Sequence, residues 1–389
     1  MFFLEYIKKT LLSIDYMIVL IIIALCTFGI IMIGSITGVN INPNSHLQSQ
    51  QQFVVISGLF VFLFISFIDY KFIAKFYWLI YIANLILLIV VWLFGEATDT
   101  GVVRGLIINI GGIRFGVQAS QFAKLFLILF LAGFIDKYQE HINNILFLLI
   151  LAVLIAVPVF FIYRQPSLSA SMVVLLVSLT MIFLGGISWK YIITAFSAIV
   201  PTGALVFLDI SRGVGNHIFV DRVLAPFQIY RLYSFFSYEQ QHFQTTMSIR
   251  SLGSGQLTGQ GLYQGIINRT NILPEAHNDF IFSVIGEEFG FIGANIVLLV
   301  ILLLIVRCLI IANFADSFVG KLIAAGVCSM LFFQTFIHVG VVTNILPNTG
   351  ITLPFVSYGG SSMWALMASM GIVMNIHVNK KKSFFNENF

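Results

Sequence analysis

Long apolar runs separated by short polar segments recur along the whole chain. A helix needs about 20 apolar residues to cross the roughly 30 Å hydrocarbon core of a bilayer. On that yardstick the pattern predicts ten helices, over residues 16–36, 53–68, 76–94, 122–135, 145–162, 170–184, 191–208, 280–305, 322–342 and 363–376. Several runs fall short of ~17 residues, so their ends are expected to extend into the polar flanks. The fold class expected is all-α, a polytopic membrane protein with about ten transmembrane helices in a single membrane domain over residues 1–389. The first run follows Lys8 and Lys9. It is too long for a signal-peptide core and lacks a small-x-small cleavage site, so it reads as a retained anchor.

One connection differs from the rest. Residues 209–279, between the seventh and eighth helices, form a long polar loop with a dense glycine cluster: Gly253, Gly255, Gly259, Gly261 and Gly265. Loops of this length are usually functional or disordered, and its aromatics and glycines argue against disorder as the whole answer. Composition strengthens the membrane reading. Of the 389 residues, 59% are hydrophobic and 9% charged, and mean hydropathy is +0.99, against about 25% charged in soluble domains. The net charge of +4 includes no basic stripe on a soluble element, so nucleic acid is not an expected partner. The placement of charge matters more. Lys8, Lys9, Lys71, Lys75, Lys137, Lys190, Arg307, Lys321 and Lys380 to Lys382 fall on one side, against Arg104, Arg114 and Arg164 in the short segments of the other. This predicts both termini, including the short tail 378–389, in the cytoplasm and the long loop outside. Cys26, Cys308 and Cys328 lie in apolar runs without C-x-x-C spacing, so neither a disulfide framework nor a zinc site is expected.

Three segments carry candidate chemistry. In Leu273-Pro274-Glu275-Ala276-His277-Asn278-Asp279-Phe280, an aspartate stands where the loop meets the eighth helix. It reads equally as a helix N-cap or as a carboxylate at the membrane face acting as general base or ion ligand, and the two roles are compatible. Glu287 and Glu288 lie about two turns further along; charges there pair internally or line a cavity, and internal pairing is the plainer reading. The stretch Pro347-Asn348-Thr349-Gly350-Ile351-Thr352-Leu353-Pro354-Phe355-Val356-Ser357-Tyr358-Gly359-Gly360-Ser361-Ser362 breaks any helix. Broken backbone at membrane depth must be buried in protein or line a watery cavity. Its hydroxyls on Ser357, Tyr358, Ser361 and Ser362 suit packing and substrate-lining better than nucleophilic attack, since no partner base or G-x-S-x-G elbow accompanies them. Lys124, one turn inside the fourth helix, either snorkels outward, pairs with Asp279 or holds a phosphate. His338 reads as a helix–helix hydrogen-bonding group rather than a metal ligand, and no metal site is expected. Gln165-Pro166-Ser167-Leu168-Ser169 reads as a tight turn without obvious chemistry.

Together these segments resemble the SEDS (shape, elongation, division and sporulation) family of bacterial membrane proteins, the group of RodA and FtsW. Residues 244–293 resemble its Q-x-x-x-S-I…G-S-G…G-x-G…L-P-E-x-H-x-D-F-I-F…G-E-E-x-G-F-x-G pattern. Residues 344–362 resemble L-P-x-T-G-x-x-L-P-F-x-S-Y-G-G-S-S, and residues 118–124 resemble Q-P-S-E-x-x-K. The resemblance covers nearly the whole membrane domain. It implies a peptidoglycan glycosyltransferase that polymerises lipid II on the outer face of the bacterial cytoplasmic membrane, beside a class B penicillin-binding protein. It puts the family aspartate on Asp279, as general base on an acceptor sugar hydroxyl. Lys124, Arg231, Arg250 and Arg269 are the cations available to receive phosphate charge. Glu275 and His277 beside the aspartate, and the hydroxyls of Ser357, Tyr358, Ser361 and Ser362, complete the expected substrate-binding set. A polyprenyl tail would lie between helices. No cofactor is expected, and the sequence leaves a divalent-cation requirement open.

Departures are visible. Gln118-Ala119-Ser120-Gln121 lacks the Pro and Glu of the family turn, Arg114-Phe115 is the nearest match to an upstream Arg-Trp pair, and Gln165-Pro166-Ser167-Leu168-Ser169 replaces Q-P-D-L-G. They leave open a weakened scaffold for the penicillin-binding protein, and the many helices with Glu287, Glu288 and His338 leave open a flippase for lipid-linked precursors. Ile68-Asp69-Tyr70, Gly186-Ile187-Ser188-Trp189 and the short tails lean toward the RodA side.

Overall fold

The computed structural model describes residues 13–38, 46–97, 103–110, 113–165, 167–194, 243–270 and 272–387, with isolated positions between 197 and 235. The helices are α1 (Tyr16–Gly38), α2 (His46–Ser66), the short α3 (Tyr70–Lys75) and α4 (Tyr77–Phe94). They continue as α5 (Ala119–Lys137), α6 (Ile145–Arg164), α7 (Leu168–Leu184), α8 (Phe243–Ser254) and the one-turn α9 (Ile266–Arg269). The chain ends with α10 (Ile281–Asn313), α11 (Phe318–Val342) and α12 (Gly360–Glu387). Among the described residues, eight are long and apolar enough to cross a membrane: α1, α2, α4, α5, α6, α10, α11 and α12. The 17-residue α7 is a shorter apolar helix. The helix expected over 191–208 begins in the described residues, where 189–194 and the isolated positions 197 and 201 are helical, and its remaining positions lie outside them. The multi-pass membrane protein expected from the hydropathy pattern is what folds.

Two differences have physical causes. Helix α2 starts at His46, seven residues before the apolar run, because its first turns carry glutamines that face protein rather than lipid. The link between α4 and α5 holds a small antiparallel sheet, β1 (Glu96–Ala97), β2 (Val103–Ile110) and β3 (Ile113–Val117), in the order β1-β2-β3. Ile110 pairs with Ile113 and Leu106 with Val117, so the two isoleucine-rich strands lie side by side along their length. The hydropathy pattern passed over them because neither strand is long enough to span.

Helix α5 is buried on nearly every side, from Ala119 through Ile135, and forms the centre of the bundle with α11 and α12. Helices α2 and α12 pack most intimately. A Cβ on Gly371 would stand 2.7 Å from the Phe62 carbonyl oxygen, and one on Gly58 would stand 3.0 Å from Met367. Small residues let helix backbones approach where lipid supplies no hydrophobic drive. Polar ties complete the seam: Trp364 Nε1 donates to Ser57 Oγ at 2.9 Å and Asn375 Nδ2 to the Ser66 carbonyl at 2.9 Å.

Helix α1 is tied to α10 at both ends. At one end Ser35 Oγ donates to the Glu288 carboxylate. At the other, the Arg307 guanidinium reaches Asp15 through Nε and Nη2, each 2.8 Å from Oδ2. Between these ties α10 is broken at Gly290, which has φ 66° and ψ −168°. The N–H groups of Phe291 and Ile292 turn to the carbonyls of Gln256 and Leu257, at 2.8 and 3.1 Å. The carbonyls of Glu287 and Glu288 accept from Gln260 and Gly261, both at 2.9 Å. The segment 256–261 thus fills the break and satisfies backbone groups that lipid would leave unpaired. Gly255 and Gly259 permit the approach, because a Cβ on either would stand within about 2 Å of the α10 backbone.

Candidate active site

Asp279 sits in a turn, residues 274–280, that precedes α10. Glu275 makes the turn: its φ of 56° is left-handed, and its carbonyl accepts from the N–H groups of Asn278, Asp279 and Phe280 at 3.0, 3.1 and 3.3 Å. The N-cap position of α10 falls on Phe280, without a side-chain cap bond. The cap reading of Asp279 is therefore corrected: the aspartate stands one residue outside the helix, half-buried. Its Oδ2 lies against Gly350, where a Cβ would stand 2.7 Å away, and Gly350 has φ +66°. Glycine at 350 satisfies both the backbone angle and the space that the carboxylate takes.

The turn is locked to the broken stretch after α11. Ser357 Oγ donates to the Asn278 carbonyl at 2.7 Å and accepts from Leu353 N–H at 2.8 Å. Tyr358 N–H donates to the His277 carbonyl at 2.9 Å, and the two rings meet edge to face with centroids 5.6 Å apart. The Tyr358 hydroxyl donates to Gln50 Oε1 at 2.7 Å, and Gln51 bridges Gly359 N–H and the Ser357 carbonyl at 3.3 and 3.4 Å. That use explains why α2 begins with glutamines. Each such bond contributes a net ~1 kcal/mol, and several together hold two irregular segments in one geometry.

Behind the site the broken stretch is fastened to two helices, one of them backed by a third. Ser169 Oγ of α7 donates to the carbonyls of Thr349 and Gly350, both at 2.8 Å. The turn that reads as having no chemistry therefore supplies a support for Gly350. Gln334 Nε2 of α11 donates to the Thr352 carbonyl at 3.0 Å, and Gln334 Oε1 accepts from Lys124 Nζ at 2.8 Å. Lys124 is buried and points inward, so it does not snorkel. His338 Nδ1 lies 2.6 Å from the Ile351 carbonyl. Its partner is the irregular stretch, not another helix as expected.

The candidate residues thus fall into three groups. Asp279, Glu275, His277, Ser357 and Tyr358 come together. Burial holds the His277 imidazole below its ordinary pKa, opposed by Glu275, whose carboxylate lies 4.0 Å away. Lys124, Ser361 and Ser362 stand behind, engaged in internal bonds. Ser361 Oγ donates to the Gly116 carbonyl at 2.9 Å and accepts from Gln118 N–H at 3.0 Å. Ser362 Oγ is 3.1 Å from Thr352 Oγ1. Arg250 and Arg269 are exposed on α8 and α9, and Arg231 lies outside the described residues. Glu287 and Glu288 take the internal reading: Glu287 accepts from Ile267 N–H at 2.7 Å and Ser251 Oγ at 3.1 Å. The supports that escaped sequence reasoning are Gln50, Gln51, Ser169 and Gln334. A lone polar residue within or just before an apolar run is the signal that marks them.

These features define a polytopic membrane protein in which the half-buried Asp279 carboxylate lies where a broken helix meets a broken segment. The chain belongs to the FtsW/RodA/SpoVE family of cell cycle proteins, whose family model matches residues 16–382. It is 33% identical to the probable peptidoglycan glycosyltransferase FtsW of Bacillus subtilis, over 96% of this chain and 94% of that one. It is equally, 33%, identical to the peptidoglycan glycosyltransferase MrdB of Escherichia coli, over 96% and 97%. The equal identities do not resolve the lean toward RodA. A chain from a solved peptidoglycan synthase complex superposes with a TM-score of 0.75 at 25% identity, covering 94% of this chain and 98% of that one. Thermus thermophilus RodA superposes with a TM-score of 0.67 at 24% identity, covering 94% and 97%.

Proposed function

We propose that this chain is a peptidoglycan glycosyltransferase that polymerises lipid II, with Asp279 as its general base. The observation that carries this reading is the half-buried Asp279 carboxylate set against Gly350, at the joint between two interlocked segments. The donor sugar is linked to a lipid pyrophosphate, already a good leaving group. Asp279 takes the proton of the acceptor hydroxyl as that oxygen bonds to the donor's anomeric carbon. The bond from that carbon to the pyrophosphate oxygen breaks, and the pyrophosphate leaves with the electron pair. One positioned base then suffices, with cations needed only for the departing charge. Arg231, Arg250 and Arg269 are candidates for it, while Lys124 supports the Gly350 segment through Gln334. Glu275 and His277 flank the acceptor side. The reading requires no resident cofactor. Membrane embedding suits a substrate whose polyprenyl tail stays in lipid.

In this reading the protein sits in the bacterial cytoplasmic membrane, with both termini in the cytoplasm and Asp279 on the outer face. A class B penicillin-binding protein is the expected partner, consistent with the likeness to a synthase-complex chain. Purified protein with that partner should extend lipid II into glycan, and Asp279→Ala should abolish extension while the chain stays monodisperse. Full polymerisation by Asp279→Ala would refute the mechanism. Movement of labelled lipid II across liposomes without polymer would favour a flippase. Complementation of a null strain by Asp279→Asn would favour a scaffold.

A further inference from the structure

The segment 256–272 leads from α8 to the Asp279 turn, yet it carries a row of exposed apolar side chains. Leu257 and Ile266 are each 64% exposed, and Leu262, Tyr263 and Ile272 are also exposed. Single exposed apolar residues need no explanation, but these five fall within one short segment beside α10, among exposed polar residues. This set joins a surface already assigned. The carbonyls of Gln256 and Leu257 bond the N–H groups of Phe291 and Ile292. Those two side chains, 64% and 53% exposed, begin the lipid-facing side of α10.

A second observation concerns the backbone. Irregular chain enters lipid only if its polar groups are satisfied within the protein. Through this segment those at 259–261, 264, 266, 267, 269 and 270 are. Gly259 N–H bonds the Gly255 carbonyl, and Gln260 and Gly261 bond the carbonyls of Glu287 and Glu288. Gln264 bonds Gly261, Arg269 bonds Gly265 and Thr270 bonds Ile266. The N–H groups at the start of α9 are met by side chains, Ile266 by Gln260 Oε1 at 3.1 Å and Ile267 by Glu287 Oε1 at 2.7 Å.

We propose that residues 256–270 form a hook seated in the bilayer leaflet on the site side, with Leu257 and Ile266 among the acyl chains. Tyr263 and Arg269 stand at the headgroup level, where amphipathic side chains place a polar end in water. The occupant of the apolar face is bulk membrane lipid. Glu287 makes the seating rigid, because its carboxylate joins the hook to the helix that begins beside Asp279.

Environment-sensitive fluorophores on single cysteines test this in nanodiscs of the full chain. The cysteines replace Leu257 or Ile266, with Leu302 on the lipid face of α10 and Gly253 on the exposed side of α8 as references, in a background of Cys26, Cys308 and Cys328 changed to Ala. Brominated lipid should quench labels at 257 and 266 to within about a factor of two of the label at 302, while aqueous iodide quenches only the label at 253. Iodide quenching at 257 and 266 without lipid quenching would overturn the proposal. It would instead indicate a surface left for a protein partner. Should labelling perturb the fold, the unmodified chain can be photolabelled with diazirine lipids. Adducts in the 256–270 peptide are expected, and adducts on α10 with none on that peptide would equally overturn it.

Discussion

The two parts of α10 on either side of Gly290 are one helix in the hydropathy pattern and two different objects in the structure. From Ile281 to Glu288 every residue is buried, and the segment holds Ser283, Glu287 and Glu288. Beyond Gly290 only a stripe is buried (Ala294, Val297, Ile301, Leu304, Ile305, Cys308, Ile311 and Ala312). The opposite side, including Leu299, Leu302, Leu303 and Leu309, is exposed. The first part is protein interior, where polar groups are hydrogen-bonded and position is determined by many partners. The second is a strut in lipid, where one side packs and the other is chemically indifferent. The lesson is that hydrophobicity finds a span, while backbone breaks and buried polar groups find the part of it that holds a site.

The largest effect should come from removing the boundary. Gly290→Ala forces a side chain into a φ/ψ region essentially restricted to glycine, costing about 1–3 kcal/mol in strain alone. Its Cβ would also stand 2.3 Å from Gly259 N. Loss of most folded protein on size exclusion, and of polymerisation with it, is expected. Glu287→Ala comes next. It leaves the Ile267 N–H without its acceptor, at about 1–3 kcal/mol for the unsatisfied group, while the Ser251 hydroxyl keeps the Ser283 carbonyl. Glu287→Gln keeps an acceptor and should retain more thermal stability than the alanine variant; equal loss would show that charge, not acceptance, matters. Gly350→Ala should act on rate more than on stability. Displacing the Asp279 carboxylate by about 1 Å is expected to cost on the order of 10²-fold in turnover, with a modest Tm shift. Wild-type turnover in this variant would mean that the packing of Gly350 against Asp279 is incidental. The smallest effect belongs to the strut: Leu302→Ala should change stability by less than about 0.5 kcal/mol in nanodiscs. A larger loss would mean that this side meets protein.

Much of this was legible beforehand, and the rest was hidden for identifiable reasons. Apolar runs placed the described spanning helices because lipid imposes one length on all of them. The residues around Asp279 and Gly350 stood out because proline, glycine and charge interrupt that pattern. Gln50 and Gln51 were hidden because polar residues ahead of an apolar run look like loop, although here they face another protein segment. The break at Gly290 was hidden because a glycine inside an apolar helix is common, and only the partner segment 256–261 gives it meaning. Lys124 and His338 were visible, but not their partners, since neither Gln334 nor the Ile351 carbonyl is near them in sequence.

The paired ties between α1 and α10 also set a scale. Asp15 and Ser35 are twenty residues apart, which is about 30 Å along a helix, close to the thickness of the hydrocarbon core. Arg307 and Glu288 match that spacing on the other helix. Two ties that far apart hold α1 and α10 in a single register, so the turn that carries Asp279 cannot slide along α1 without breaking one of them.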